Sequence, residues 1–308
     1  MKILKIPFAK VLWFWMVKHY PKFCCKLLYR KATGKKLNLN NPQDLNEKIQ
    51  WLKFHENQDV WARLADKYAV REYVKERGLE HILVKLYGKY DNVEALLIDW
   101  DNLPNKFVLK SNNGCGTIKL IKDKSVIDTN ILKKEIEHWL LQKDIGLGTV
   151  ELHYTRIKPC IIAEELLEDT SVSSYSCGVV DYKIWCFDGT PFCCVVIYDR
   201  NLDKHNKPQF DMYDLDWEPM RNCITHVENR KYKQLCPKPK NWETMLEYAH
   251  VLSEGHPQVR MDFYNIDGKI YFGEMTFTAR GGFQDDYTDE ILLEMGQKVN
   301  LERFIKTR

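Results

Sequence analysis

Apolar positions recur at helical spacing over the first third of the chain. In QDLNEKIQWLKFH (43–55), Leu45, Ile49 and Leu52 fall on one face. The pattern continues through Leu64, Tyr68, Val70 and Val74 over 57–79 and stops at Gly78, which predicts a second helical stretch. The period then shortens. HILVKLYG (81–88), LPNKFVLK (103–110) and TIKLI (117–121) predict strands, the last two joined as a hairpin by a glycine-rich loop. A helix with Trp139 is predicted over 129–143, and KPCIIAEELLED (158–169) reads as a buried strand ending in acids. DYKIWCFDGTPFCCVVIYDR (181–200) is a hairpin turning at Asp188-Gly189. Residues 201–240 are polar, with little periodicity, and read as an insertion. NWETMLEYAHVLSEG (241–255) is a helix capped by its asparagine and ended by Gly255, QVRMDFYNIDGKIYFGEMTF (258–277) is a last hairpin, and the tail from Asp289 is helical. Hairpins interleaved with helices predict an α+β fold.

The last hairpin carries the first hint of chemistry. A three-residue loop Ile266-Asp267-Gly268 would set Asn265 opposite Lys269 and Arg260 opposite Glu274. Residues 260, 262, 272, 274 and 276 would then share one face, with Val259, Met261, Phe263, Tyr271, Met275 and Phe277 on the other. Two carboxylates, Asp262 and Glu274, on one sheet face suggest a divalent cation, and hard oxygen ligands favour magnesium, which usually comes with nucleotide phosphates. The plain alternative is an exposed face with a cross-strand ion pair. FVLKSNNGCG (107–116) raises the same question from the other side: a strand delivers Lys110 into a glycine-containing turn, where backbone N–H groups can approach an anion. It is not a Walker A loop, and a tight turn with a solvated lysine would look the same.

Composition narrows the class. With 308 residues, 44% hydrophobic and 29% charged, the chain is long enough for two lobes and ordinary for a globular protein. The net charge of +3 hides an asymmetry: residues 1–36 carry ten Lys or Arg and no acid, which leaves the remainder at −7. The basic head predicts an anionic partner surface; no nucleic-acid partner is expected. The ten cysteines include no C-x-x-C pair and several lie in apolar runs, so they read as small hydrophobes and fit a reducing cytoplasm. The N-terminus lacks a signal-peptide pattern, and its longest uncharged run, Val11 to Val17, is too short to span a bilayer. Trp13, Phe14, Trp15 and Met16 among lysines predict either an interfacial helix at a membrane or a basic helix packed on the protein's own core.

The stretches LNEKIQWLKFHE, LADKYAVREYV, LPNKFVLKSNNGCG, IIAEELLED, DYKIWCFDGTP, VRMDFY and YFGEMTF together resemble the ATP-grasp superfamily, and most closely its TupA-like branch, from about Pro42 to Phe304. The resemblance implies two α+β lobes clasping ATP, with residues 1–41 as a basic N-terminal segment, 42–160 as the N-terminal region and first lobe, and 161–308 as the second lobe. It implies Lys67 and Lys110 on the α- and β-phosphates, the loop Ser111, Asn112, Gly114 and Gly116 over the phosphates, and Glu164, Glu165 and Leu166 at the adenine hinge. Lys183 would face the same cleft. Asp262 and Glu274 would hold magnesium, with Thr276 where the family usually has asparagine. Arg260, Arg280 and Lys183 would act on the transferred phosphate or the substrate carboxylate. The implied activity is an ADP-forming carboxylate–amine ligase, associated with cell-surface polysaccharide and teichuronopeptide synthesis.

Two other readings stay open. Asp214-Leu215-Asp216 is a D-x-D of the kind that holds a metal and a sugar nucleotide in glycosyltransferases, and a small-molecule kinase could use the same ATP-binding scaffold. Residues 170–178 and 201–236 are expected to face substrate, with Asp211 and Trp217 as sugar contacts.

Overall fold

The computed structural model describes residues 7–114, 116–142, 144–169, 172, 176, 178–199, 208–225 and 235–305. Two helices, α1 (Pro7–His19) and α2 (Pro21–Thr33), precede three more, α3 (Leu45–Leu52), α4 (Gln58–Ala65) and α5 (Val70–Glu76). Asp44 caps α3 by accepting from the Glu47 N–H at 2.8 Å, while Glu47 in turn accepts from the N–H groups of Asn38 and Gln43. The apolar pattern over 57–79 proves to be two helices. The chain is extended at Asp66, whose carboxylate accepts from the N–H groups of Tyr68 and Ala69 before α5 starts. That interruption leaves Lys67 outside both helices.

Two antiparallel sheets follow. The first has the order β1-β4-β2-β3, from β1 (Leu86–Tyr90), β2 (Phe107–Ser111), β3 (Ile118–Ile121) and β4 (Ile161–Glu164), with α6 (Val93–Ile98) and α7 (Thr129–Leu141) packed on it. The second has the order β7-β6-β5-β8-β9, from β5 (Asp181–Phe187), β6 (Thr190–Tyr198), β7 (Gln209–Tyr213), β8 (Val259–Ile266) and β9 (Lys269–Thr276). Helices α8 (Trp242–Ser253), α9 (Asp289–Lys298) and α10 (Glu302–Ile305) complete the chain. The first sheet has its own apolar core, including Phe107, Leu109, Ile121, Ile136 and Ile161. Residues 45–79 pack instead with the second sheet, so the 42–160 stretch serves two cores, and β4, at the start of the 161–308 stretch, is a central strand of the first sheet. Cys186, Cys193 and Cys194 are buried in the second core as small apolar side chains, as the sequence predicts.

Three expectations need correction. The 201–240 stretch is more than an insertion, because β7 pairs with β6. There Asp211 is buried and accepts from the Tyr198 hydroxyl at 2.9 Å, and Trp217 stacks on Tyr213 at 4.5 Å, so both are packing residues rather than sugar contacts. The other positions expected to face substrate, within 170–178, 201–207 and 226–234, lie largely outside the described residues. Asn241 stands at the start of α8 but makes no cap; its amide donates to the Gly268 carbonyl and accepts from Asn265, tying the helix to the last hairpin's turn.

The third correction concerns that hairpin. Its turn is Asp267-Gly268 alone, both at positive φ (49° and 84°), and Ile266 pairs with Lys269. The register slips by one residue at Gly273, between Asp262 and Phe263 on the facing strand. Asp262 therefore faces Glu274 directly and Arg260 faces Thr276. Phe272 joins Phe263 in the core and Tyr271 turns to the other face, the reverse of the expected arrangement. The bulge needs glycine. A Cβ at Gly273 would lie 2.8 Å from the Asp262 carbonyl oxygen, a backbone atom that cannot swing aside. Gly273→Ala should lower stability by roughly 1–3 kcal/mol, the usual scale of overpacking, measured by thermal or urea unfolding; wild-type stability would remove the bulge as a constraint.

A second expectation comes from His153, which is fully buried edge-on against Trp61, with no hydrogen-bond partner for either ring nitrogen among the described residues. Burial, with the Lys53 charge adding to it, pushes its pKa from 6.5 down to about 3. The folded protein therefore binds fewer protons than the unfolded chain between those values, so stability falls as pH drops from about 6.5 towards 3, by about 1.4 kcal/mol per pH unit. His153→Phe should flatten that dependence in unfolding curves taken across the window; an unchanged slope would contradict the neutral buried imidazole.

Candidate active site

The hairpin face is the floor of the site. Asp262 and Glu274 stand opposite each other across the β8–β9 ladder, and Lys183 on β5 is paired with Asp262 from the other side. Like charges directly opposed in a sheet repel, so cations gather here. Lys183 Nζ forms an ion pair with Asp262 Oδ2, and Arg260 binds the same carboxylate through Nε and Nη2 at 2.8 and 2.9 Å. Asp262 and Lys183 are buried, which makes this a triad rather than a surface bridge. Thr276 accepts from Arg260 and donates to Glu274 Oε1, both at 3.3 Å.

Lys67 reaches this floor from the break between α4 and α5. Its Nζ lies 3.7 Å from Glu274 Oε2 and donates to the Gly114 carbonyl at 2.7 Å, so it links the hairpin to the loop between β2 and β3. Burial works to raise the Glu274 pKa, but the charges of Lys67, Lys183 and Arg260 outweigh it and hold the carboxyl down at about 2. Glu274 keeps 39% of its side chain exposed and is the accessible member of the pair.

A second charge cluster lies on the first sheet. Lys110 Nζ bonds Glu164 Oε2 at 2.9 Å, and Arg71 bonds Glu164 Oε1 at 3.0 Å and the Val84 carbonyl at 2.8 Å. Together the two clusters set five cations (Lys67, Lys110, Lys183, Arg71 and Arg260) against three carboxylates, a surplus suited to a polyanion. Arg71 was not singled out from the sequence, although it stands in the same stretch as Lys67; nothing in a helical pattern marks which of its cations points inward.

The remaining predicted residues divide. Asn112 is buried and uses its whole amide locally: it donates to Asp66 and to the Lys158 carbonyl and accepts from the Cys160 N–H, while its own carbonyl accepts from the Lys67 N–H. It shapes the loop that holds Lys67. Ser111 donates to Asn113 Oδ1, its N–H bonds the Thr117 carbonyl, and Gly116 has φ +83°. Cys115, within this loop, lies outside the described residues. Glu165 and Leu166 follow β4, with the Glu165 N–H on the Lys85 carbonyl. Arg280 is paired with Asp285 and Asp286. The Asp214-x-Asp216 motif is a turn, in which Asp214 Oδ1 accepts from the N–H groups of Asp216 and Glu218.

Could the floor hold magnesium? Among the described residues no cluster of three or more His, Cys, Asp or Glu side chains forms a protein-only metal cage. Two opposed carboxylates and a hydroxyl beside a cationic wall fit a hard cation that takes its other ligands from phosphate and water.

The sequence matches the model of the TupA-like ATP-grasp family over residues 47–300. No curated protein matches it. Among solved structures, a D-alanine–D-alanine ligase from Helicobacter pylori is 14% identical, with a TM-score of 0.44 over 83% of this chain and 69% of that one. A D-alanine–D-alanine ligase from Bacillus anthracis complexed with ATP is 15% identical, with a TM-score of 0.41 over 86% and 72%. The ATP-grasp ligase PsnB with its minimal precursor is 11% identical, with a TM-score of 0.40 over 82% and 66%. The family match spans most of the chain; the chain belongs to the TupA-like ATP-grasp family.

Proposed function

We propose that the protein joins a carboxylate to an amine with ATP and magnesium, and that the carboxylate or the amine belongs to a sugar of a cell-surface polysaccharide precursor. The observation that carries the reaction is the opposed pair Asp262 and Glu274, ringed by Lys67, Lys183 and Arg260. Lys67 and Lys110 would take phosphate oxygens, and Glu164 with the backbone after it would receive the adenine. Magnesium held by Asp262, Glu274 and the Thr276 hydroxyl would supply neutralisation of phosphate charge.

In the first step a carboxylate oxygen attacks the γ-phosphorus, the bond to the bridging oxygen breaks, and ADP leaves with that electron pair. The amine then attacks the acyl carbon, phosphate departs, and the amine nitrogen loses a proton. The chain's own share is position and charge: Arg260 and Lys183 are held rigidly by Asp262, beside the place where negative charge accumulates. Because Lys67 and Lys110 are engaged by Glu274 and Glu164, nucleotide binding would exchange these ion pairs for phosphate contacts. The polysaccharide part rests on the family resemblance alone.

The test is ADP release with ATP, magnesium and pools of amino acids, amines and uronic-acid sugars. Release should require both a carboxylate and an amine, and the product should weigh their sum less one water. A phosphorylated compound as final product, with no need for an amine, would make the protein a kinase instead.

A further inference from the structure

The N-terminal helices have two apolar faces. One is accounted for: Val17, Cys24, Cys25, Leu28 and Tyr29 are buried with Leu37, Leu147, Val150 and Phe283. Trp13 and Phe14 belong to this inward side, Trp13 donating to the Leu147 carbonyl at 3.3 Å. The other face points away from the protein. Phe8, Val11, Leu12 and Trp15 on α1 are 75%, 66%, 46% and 50% exposed, at helical spacing along one side. At α2, Tyr20, Phe23 and Leu27 repeat the pattern at 56%, 52% and 45%. The two stripes meet where the Trp15 and Tyr20 rings lie 5.9 Å apart.

A soluble surface seldom keeps seven large apolar side chains together without a partner. Charge says which partner fits. Lys18, Lys22, Lys26, Arg30, Lys31, Lys35 and Lys36 are exposed on and just after the same helices, and no acid occurs in the segment. Among the described residues, the acids paired with the segment come from elsewhere in the chain, Asp144 on Lys10 and Asp289 on Lys35. Apolar stripes set among exposed cations match a surface that is apolar inside and anionic outside.

We infer that the outer face of α1 and α2 docks reversibly on an anionic lipid bilayer, with Phe8, Val11, Leu12, Trp15, Phe23 and Leu27 in the interfacial layer and the lysines on the headgroups. This revises the expected anchor: Trp15 faces out, but Trp13 and Phe14 do not. No described helix is long and apolar enough to cross a membrane, so the contact is peripheral. The opposite, buried face of α2 is tied to the chain after β9: the Cys25 thiol donates to Gln50 Oε1, and Gln50 Nε2 donates at 2.9 Å to the carbonyls of both Gly281 and Gly282. The inference does not depend on the reaction proposed above.

The test is co-sedimentation of the full chain with vesicles of phosphatidylcholine, with or without roughly 40 mol % phosphatidylglycerol, at about 0.1 M and about 1 M salt. The protein should pellet with the anionic vesicles at low salt and be released at high salt. Val11→Ser/Trp15→Ser/Phe23→Ser and Lys18→Gln/Lys26→Gln/Lys31→Gln should each weaken binding, the second on the order of a hundredfold. All six positions are exposed, so thermal unfolding should be unchanged and reports that the variants fold. No pelleting with anionic vesicles, or equal pelleting of the apolar variant, overturns the inference. So does a dimer that the apolar variant converts to monomer while vesicles capture neither, because the face would then join two copies of the chain.

Discussion

Asp262 and Glu274 face each other across one antiparallel pair, and a sheet does not tolerate two opposed carboxylates without compensation. Much of the site can be understood as that compensation. Lys183 comes from the neighbouring strand, Arg260 from two residues back on the same strand, and Lys67 from a break between two helices. Asp262 is buried, so taking away both of its cations would leave an unpaired charge at the floor of the site. Glu274 is more open and is held by a single long contact to Lys67, besides the hydroxyl of Thr276 and a 3.9 Å approach of Arg260. The tight half of the network preserves geometry and the loose half is free to exchange partners.

Local structure serves the same end. Gly273 lets the register slip once, and that slip is what brings Glu274 opposite Asp262 while Phe272 stays in the core. Asp66 interrupts the helical run, which frees Lys67 to reach both the loop and the second sheet. Asn112 fixes the other side of that junction through its amide and its carbonyl. Each device is a local departure from regular structure, and each lies next to a charged group of the site.

The same departures explain how far the sequence could be followed. The α+β class and the shared face of Asp262 and Glu274 were legible, because alternation survives in β8 and on both sides of the bulge; the division into two lobes came from resemblance. The pairing of Arg260 was not, since a one-residue slip at Gly273 leaves no mark in an alternating pattern except a glycine. Lys67 came from resemblance, Lys110 from its strand and glycine-containing turn as well, and their distinct partners from the fold. Arg71 and the Lys183–Asp262–Arg260 triad depend on strand order, which periodicity does not carry. Trp217 and Asp211 were misjudged because they lie in a polar stretch whose strand β7 was not recognised; pairing with β6 buries Asp211, and Trp217 packs on Tyr213 at the end of β7. In the N-terminal segment the sequence allowed a membrane face or a core face; the helices have one buried apolar face and one exposed apolar face.

On the proposed function, the two ion-pair clusters are the resting form of a Mg–ATP site, with Lys110 on Glu164 standing in for Lys110 on phosphate. Calorimetric titration of Mg–ATP into the wild type and Lys110→Ala tests it most directly. Lys110 is only partly buried, so the variant should unfold at close to the wild-type temperature. Its affinity should drop by roughly 10- to 150-fold, the equivalent of one charge-assisted contact of about 1.5–3 kcal/mol. Equal affinities for the two proteins would mean that Lys110 holds Glu164 alone, and that the nucleotide is bound elsewhere.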